Sequence, residues 1–199
     1  MQAETTKKLF TVDEYHRMAE AGIFGPEERV ELIEGEILEM SPIGHRHMIC
    51  VNRAMRLFIT KAGDHALVSV QNTLGLSEYT EPQPDVVVLK PRADEYSAKR
   101  LSAEDTLLVI EVSQTTLNYD RRRKLPLYAT AGVPEVWIED LKNDLLLVFR
   151  QPVSNMYSTS LVLRRGESVS PLALPDLVLT VDELLVETPE SLEKQKPAG

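Results

Sequence analysis

The chain has 199 residues, of which 43% are hydrophobic and 27% charged, and its formal net charge is -9. This size and composition indicate one globular domain, residues 1–186, followed by a flexible polar tail, residues 187–199. The negative charge argues against a broad basic surface for nonspecific binding of nucleic acid, but local basic runs such as Arg121-Arg122-Arg123-Lys124 can still act.

The remaining features of composition limit the compartment and the kinds of site. A single cysteine, Cys50, excludes an intrachain disulfide and a zinc site made of cysteines alone. Because there is neither a signal segment nor an apolar run of membrane-spanning length, we expect a cytoplasmic protein without a membrane partner.

Three elements are predicted in the first third of the chain. They are a helix, a hairpin and a longer helix, at Val12–Glu20, at Val30–Ile33 with Glu36–Met40, and at His45–Ala62. Thr11-Val12-Asp13-Glu14 has capping-box spacing, and Glu34-Gly35 suits the hairpin turn. The longer helix is predicted from apolar side chains at helical spacing, which are Met48, Val51, Met55, Phe58 and Ile59.

The rest of the chain predicts a mixed sheet flanked by helices, an α/β fold. Strands are predicted at Ala66–Gln71, Thr73–Ser77, Asp85–Leu89, Thr106–Val112, Val136–Glu139, Leu145–Arg150 and Met156–Arg164. Helices are predicted at Leu117–Ala131 and Val181–Val186, and Asp94–Ala103 is predicted as a polar connection with at most a short helix. Strand, helix and strand between residues 106 and 139 indicate a right-handed parallel crossover. Pro126 predicts a kink near Arg122 or Arg123.

Two acids stand at the end of, or inside, apolar strand-forming runs. Asp85 begins Asp85-Val86-Val87-Val88-Leu89, and Glu111 interrupts the continuous run that ends at Val112. A buried carboxylate needs a partner, because burying an unpaired charge is costly. Two carboxylates on neighbouring strands have such a reason if together they hold a divalent cation.

A hard cation such as Mg²⁺, with Mn²⁺ as a substitute, prefers carboxylate and carbonyl oxygens. Asp85 and Glu111 are the predicted carboxylate ligands, and the backbone carbonyl of Val112 is the predicted third oxygen. Lys124, on the helix after Glu111, is predicted to orient the nucleophile and offset negative charge. Asp120 lies four residues before Lys124 on the same helix face, where it can hold the lysine or extend the acidic site.

Simpler explanations exist for each residue taken alone. Asp85 can be a turn acid after Pro84, and Glu111 can pair with an arginine for structural reasons. Lys124 can be a solvated helix lysine. The metal site is favoured because acid, acid and lysine occur in this order on strand, strand and helix.

The same residues resemble those of the Uma2 family of putative restriction endonucleases, a branch of the PD-(D/E)xK nuclease superfamily. The resemblance runs from Thr11 to about Leu185. It rests on Arg29-Val30-Glu31-Leu32-Ile33-Glu34-Gly35-Glu36, Met40-Ser41-Pro42, His47, Gln71, Pro84-Asp85, Ile110-Glu111-Val112-Ser113, Asp120, Lys124, Tyr128-Ala129, Gly132-Val133 and Glu135-Val136-Trp137. It implies a restriction-endonuclease-like fold and cleavage of DNA. It also implies that the superfamily lysine, whose usual strand position is Ser113 here, has moved to Lys124.

Three further residues are supporting candidates. Glu31 can add an acid to the site or face outward from its strand. His47 can contact a phosphate or a water, or it can be a surface histidine at a helix start. Gln71 can order a metal-bound water or make a cross-strand hydrogen bond.

Three functions fit these residues. The first is a Mg²⁺-dependent endonuclease acting on DNA. The second is a non-catalytic interaction protein that keeps the nuclease fold, which the negative charge favours. The third is a metal-dependent hydrolase of a smaller phosphodiester. A homodimer is expected, because strands 145–149 and 161–163 are more apolar than one sheet face requires.

Overall fold

The protein is described by a computed structural model that covers residues 6–186. The predicted tail at 187–199 lies outside the described residues. The elements in chain order are α1 Val12–Glu20, β1 Val30–Ile33, β2 Glu36–Glu39, α2 His45–Ala62, β3 Leu67–Val70, β4 Val86–Leu89, β5 Thr106–Ser113, α3 Leu117–Tyr119, a π turn Asp120–Lys124, α4 Leu125–Thr130, β6 Glu135–Asp140, β7 Leu145–Val153, β8 Met156–Leu163, β9 Ser168–Val169, β10 Leu179–Thr180 and α5 Val181–Leu184.

The central feature is a mixed sheet with the strand order β3-β4-β5-β6-β7-β8. Strands β5 and β6 are parallel, and the other neighbouring pairs are antiparallel. The predicted α/β class, a mixed sheet flanked by helices, is therefore confirmed. The parallel pair is the one expected on either side of the crossover that contains the π turn.

Two layers of helix bury the two faces of this sheet. Helix α2 covers one face, where the rings of Phe58 and Trp137 lie 5.9 Å apart. On the other face, Tyr128 of α4 joins the cluster that contains Val136 and Ile138. Strand β5 lies between the layers, and burial on both faces explains its continuous apolar run.

The N-terminal elements pack at one end of the sheet. Thr11 and Glu14 form the predicted capping box at the start of α1. Strands β1 and β2 pair from Ile33 and Glu36 outward, so the turn is the two residues Glu34 and Gly35, both at positive φ. Gly35 is also required by space, since a Cβ there would lie 2.6 Å from Leu9 Cβ. This hairpin brings β1 to the edge of a cavity that is lined by Glu31, Asp85, Glu111 and Lys124.

Several sequence predictions need correction. Thr73–Ser77 is not a strand, because it forms only isolated bridges, Gly75 with Ser102 and Ser77 with Thr80. The polar connection predicted at Asp94–Ala103 is confirmed as mainly turns, and a short 3₁₀ helix, Ala103–Asp105, begins at its last residue. Val51 and Phe58 of α2 are buried as expected, whereas Met48 and Ile59 are 44% and 54% exposed.

Two predictions about single features can also be compared with the structure. Cys50 is a free, fully buried cysteine of α2, as expected for a small hydrophobic side chain. Across residues 6–186, the helices are each too short or too polar to cross a bilayer.

Glu139 of β6 is an unusual charge within this core. Its side chain is fully buried on the sheet face under α2, and neither carboxyl oxygen has a hydrogen-bond partner among the described residues. Burial raises the pKa of Glu139 to about 8, and the negative charge of Asp85 acts in the same direction. The neutral carboxyl is therefore the form that the fold favours.

Replacing Glu139 by glutamine should stabilise the protein in a pH-dependent way. Because the folded pKa lies above the ordinary value, the native carboxyl contributes most at low pH, and this contribution is lost as the pH rises through about 8. We expect Glu139→Gln to change the free energy of unfolding by less than about 1 kcal/mol at pH 5 and to raise it by on the order of 3 kcal/mol at pH 8. Urea denaturation at both pH values measures this.

Glu27→Gln at an exposed position is the matched control and should have no effect at either pH. An equal effect of Glu139→Gln at pH 5 and pH 8 would contradict a raised pKa as the cause.

Candidate active site

The sheet register brings the two predicted strand acids together. Strands β4 and β5 are antiparallel with Val86 opposite Ile110, so one further step places Asp85 opposite Glu111. Asp85 lies immediately before β4, and Glu111 lies within β5. Both side chains are almost fully buried, with 7% and 4% exposure. The two acids are therefore neighbours across the strand pair, and both line the same cavity.

Three hydrogen bonds hold the Asp85 carboxylate in place. Oδ2 accepts the backbone N–H of Val112 at 2.9 Å and lies 3.0 Å from His47 Nε2, while the Gln71 amide donates to Oδ1 at 3.3 Å. Burial raises the pKa of Asp85, but His47 and the Val112 N–H outweigh it, and the pKa lies below its ordinary value. Asp85 is therefore an ionised acid at neutral pH.

His47 and Gln71 thus contact the same carboxylate from different elements. His47 lies in the first turn of α2, and it is a partly buried partner of Asp85 rather than a surface histidine. Gln71 follows β3 with φ at 51°, a left-handed conformation that turns its side chain out of the strand path. Because Val70 pairs with Val86, Gln71 lies opposite Asp85, and its amide makes the cross-strand hydrogen bond that was one of the two alternatives for this residue.

Pro126 determines the shape of the segment that carries Lys124. A proline cannot donate to the carbonyl one turn back and its ring clashes there, and the chain responds with the π turn Asp120–Lys124. Leu125 N–H accordingly bonds to the Asp120 carbonyl, five residues back. The kink expected near Arg122 or Arg123 is this π turn. It leaves Asp120 and Lys124 both buried and both on the cavity wall.

Lys124 is a buried ammonium between two glutamates. Its Nζ lies 3.2 Å from Glu111 Oε1 and 3.2 Å from Glu31 Oε2, and the residue is 4% exposed. Burial lowers the pKa of Lys124, but the charges of Glu111 and Glu31 outweigh this, and the pKa is raised above its ordinary value. The alternative of a solvated helix lysine is therefore wrong.

Glu111 has a different protonation preference from Asp85. Its Oε1 accepts hydrogen bonds from Lys124 at 3.2 Å and from the Tyr128 hydroxyl at 2.6 Å. Burial raises the pKa of Glu111 above its ordinary value, and Asp120 and Asp85 add to this while Lys124 opposes it. The partners of Glu111 are therefore Lys124 and Tyr128, and not an arginine.

Glu31 faces the cavity, so the outward-facing alternative is wrong. It is 3% exposed, and its Oε1 accepts from the Tyr119 hydroxyl at 3.0 Å while its Oε2 accepts from Gln83 N–H at 3.2 Å. The hairpin β1–β2 therefore places the Glu31 carboxylate in contact with Lys124, in addition to Glu111. Tyr119 and Gln83 fix the orientation of this acid.

Asp120 and Ser113 complete the acidic side of the cavity. Asp120 Oδ2 accepts from the Thr116 hydroxyl at 2.8 Å, and that hydroxyl lies 3.2 Å from Ser113 Oγ. Burial raises the pKa of Asp120, and Lys124 partly offsets this. Ser113 is fully buried at the strand position where the superfamily lysine was expected, so its side chain joins Thr116 in holding Asp120.

These side chains line a cavity of about 630 Å³. Carboxylates are the main polar groups on its wall, contributed by Glu31, Glu39, Asp85, Glu111 and Asp120. Within residues 6–186, no three His, Cys, Asp or Glu side chains are grouped closely enough to form a complete metal site by themselves. The oxygen donors nevertheless suit a hard cation that takes one or two carboxylates and fills its remaining positions with water or substrate oxygens.

A family model for Uma2, described as putative restriction endonuclease, matches residues 12–182. This match covers most of the chain. The chain belongs to the Uma2 family. Comparison with curated proteins gave no match.

The Uma2 chain is also similar in fold to a solved structure. That structure is the crystal structure of a putative nuclease belonging to DUF820 from Anabaena variabilis ATCC 29413, with a TM-score of 0.70 and 16% sequence identity. The alignment covers 88% of this chain and 97% of that chain. At this identity the likeness concerns the fold alone. The description of the family supports a nuclease.

Sequence reasoning missed the groups that hold the acids. Tyr128 was noted only as part of the resemblance, although its position four residues after Lys124 placed it on the same helix face. Tyr119 and Thr116 gave no such signal, because their partners Glu31 and Asp120 are reached only through the fold. Arg29, which also lines the cavity, appeared only within the hairpin motif.

Replacing Lys124 by methionine should destabilise the protein strongly. Glu31 and Glu111 would lose a shared buried counter-charge, and breaking such a pair costs about 3 to 5 kcal/mol. Adding Glu31→Gln to Lys124→Met should restore part of the loss, because it removes one of the uncompensated acids. Urea denaturation at pH 7 in EDTA measures both.

The control is Lys61→Met, which removes an exposed ion pair with Glu183 and should cost less than about 1 kcal/mol. The buried-pair interpretation fails if Lys124→Met and Lys61→Met lower the free energy of unfolding equally.

Proposed function

We propose that this protein is a divalent-metal-dependent endonuclease that hydrolyses DNA phosphodiester bonds. The observation that carries the proposal is the buried Lys124 ammonium 3.2 Å from Glu111, in the cavity that Asp85 also lines. Asp85, Glu111 and Lys124 come from three different elements, and a purely structural ion pair does not need a cavity around it. Membership of a family described as putative restriction endonuclease supports the same function.

Mg²⁺, or Mn²⁺ in its place, is the proposed cofactor, with Asp85 and Glu111 as its carboxylate ligands. Both hydrogen bonds that Glu111 accepts within the described residues go to Oε1, which favours Oε2 as the ligand atom. The Val112 N–H is directed at Asp85, and a strand residue directs its carbonyl to the same edge, which supports that carbonyl as the third oxygen. Such an ion would supply Lewis-acid activation of the phosphate and of water.

The chain's own groups then act around the phosphate. The Lys124 ammonium offsets negative charge that develops on the phosphate oxygens and orients the attacking water. His47 and Gln71 keep Asp85 in one rotamer, and Glu31 keeps Lys124 beside Glu111. Asp120, held by Thr116 next to Ser113, adds an acid on the opposite wall that can accept a hydrogen bond from water when it is ionised.

We also propose that the protein works as a homodimer in the cytoplasm. Strand β8 is an edge of the sheet, and it exposes Met156 at 68%, Val162 at 56% and Leu161 at 38%. An exposed apolar edge is a template for pairing with another strand, and a second copy of β8 is its natural partner. Paired active sites would suit an enzyme that cuts both strands of a duplex.

The competing function is an inactive nuclease-fold protein that acts as a dimer. The net charge of -9 favours it, because a strongly acidic protein gains little from counterion release on DNA. A hydrolase of a smaller phosphodiester is the third candidate, favoured by the cavity of about 630 Å³. Cleavage assays separate all three.

The cleavage test uses supercoiled plasmid with Mg²⁺ or Mn²⁺. We expect nicking by the wild type and a loss of at least about 100-fold in Asp85→Ala, Glu111→Gln and Lys124→Met, as is usual when a group that stabilises the transition state is removed. Glu27→Gln is the control and should cleave normally. Cleavage that persists in both acid variants would reject the proposed site.

A wild type that cleaves bis-p-nitrophenyl phosphate but not plasmid would favour the smaller substrate. No cleavage of either substrate, combined with no Mn²⁺ binding by calorimetry at millimolar concentrations, would favour the inactive interaction protein.

The dimer test is light scattering at micromolar concentration. We expect a mass near twice that of the chain for the wild type, and a monomer for Val162→Lys, since a charged edge opposes strand pairing. Val178→Lys, at an equally exposed valine outside the sheet edge, should stay dimeric. A monomeric wild type would contradict the homodimer.

A further inference from the structure

The cavity wall carries more acidic than basic side chains. Apart from His47, the cavity is lined by two cations, Lys124 and Arg29. Lys124 forms ion pairs with both Glu31 and Glu111. Arg29 forms no ion pair with any carboxylate within 4.0 Å in the part of the chain that the structure describes. A cation without a counter-charge on the wall of an acidic cavity calls for a ligand.

A backbone hydrogen bond fixes the position of Arg29 beside the cavity. Arg29 directly precedes β1, and its carbonyl accepts the Met40 N–H at 2.8 Å, which closes the open end of the hairpin. The side chain is half-buried. Its position is therefore set by the same hairpin that delivers Glu31 to Lys124.

The guanidinium has most of its hydrogen-bonding capacity free. Its Nη2 donates to Gln83 Oε1 at 3.3 Å, the only hydrogen bond it makes within residues 6–186. A guanidinium has five N–H donors in a planar fork, and this fork matches the oxygens of a phosphate. Gln83 in turn donates its backbone N–H to Glu31, so one residue aligns both Arg29 and the acid that holds Lys124.

We propose that Arg29 is a substrate-binding residue, which holds a phosphate of a nucleic-acid strand in the cavity. This deepens the proposed function and rests on it for the identity of the substrate. The charge of Lys124 is already matched by Glu31 and Glu111, whereas Arg29 brings a positive charge that no carboxylate of residues 6–186 pairs with. Arg29 also reconciles the net charge of -9 with an anionic substrate, because the attraction is local.

The test measures binding without cleavage. A fluorescently labelled single-stranded oligo-dT is titrated in EDTA at several salt concentrations, and affinity is followed by anisotropy. We expect Arg29→Ala to weaken binding about tenfold and to reduce the slope of log K against log salt by about 0.7, the value for one phosphate contact on a single strand. Arg29→Lys should keep the slope but bind less tightly, because it keeps the charge and loses the fork.

The matched control is Arg56→Ala, which removes an exposed arginine of α2 outside this cavity. It should leave both affinity and slope close to the wild type. If Arg56→Ala reduces both as much as Arg29→Ala does, the effect is one of net charge and the inference is wrong. Unchanged binding by Arg29→Ala, or no binding by the wild type, would also overturn it.

Cleavage of plasmid with Mn²⁺ by the same proteins separates this inference from the proposed function. Cleavage by the wild type with unchanged binding by Arg29→Ala would retain the endonuclease and reject the role of Arg29. Arg29-dependent binding without any wild-type cleavage would reject the endonuclease and retain an anion site at Arg29.

Discussion

The buried ammonium of Lys124 is the interaction on which the rest of the site depends. A charge at 4% exposure is tolerated only if opposite charges contact it, and here Glu31 and Glu111 do so at equal distances of 3.2 Å. Glu31 comes from the hairpin and Glu111 from the centre of the sheet. The lysine therefore requires the hairpin, the sheet and the π turn to be in place together, and it couples the site to the fold.

The surroundings of Asp85 and Glu111 shift the pKa values of these two acids in opposite directions. Asp85 is surrounded by donors, and its pKa is lowered. Glu111 is more completely buried, and its pKa is raised. Pairs of titratable groups whose pKa values are pushed apart are typical of catalytic sites, because the two groups then perform different tasks. The pKa of Glu139 is also raised, mainly by burial, although Glu139 does not line the cavity, so a raised pKa indicates a site only together with the cavity and Lys124.

The π turn shows how one residue shapes the site. Pro126 cannot complete the α-helix, and the preceding segment Asp120–Lys124 forms a π turn in which Asp120 and Lys124 are both buried. A strand lysine at Ser113 would reach the site without this device. The buried serine instead helps Thr116 to hold Asp120, so the strand position has become part of the support for the acid.

The sequence by itself determined most of the elements and the acids at the strand ends. Helices α1 and α2 and the hairpin follow from caps, helical spacing and turn residues, which act within a few residues of the chain. It did not determine the loop at Thr73–Ser77, whose apolar residues suit a strand but which forms only isolated bridges. Only the tertiary structure decided that Glu31 faces inward, that His47 and Gln71 hold Asp85, and that Tyr119, Tyr128 and Arg29 line or support the cavity. These contacts join residues far apart in the chain, and neither propensity nor periodicity encodes which distant groups meet.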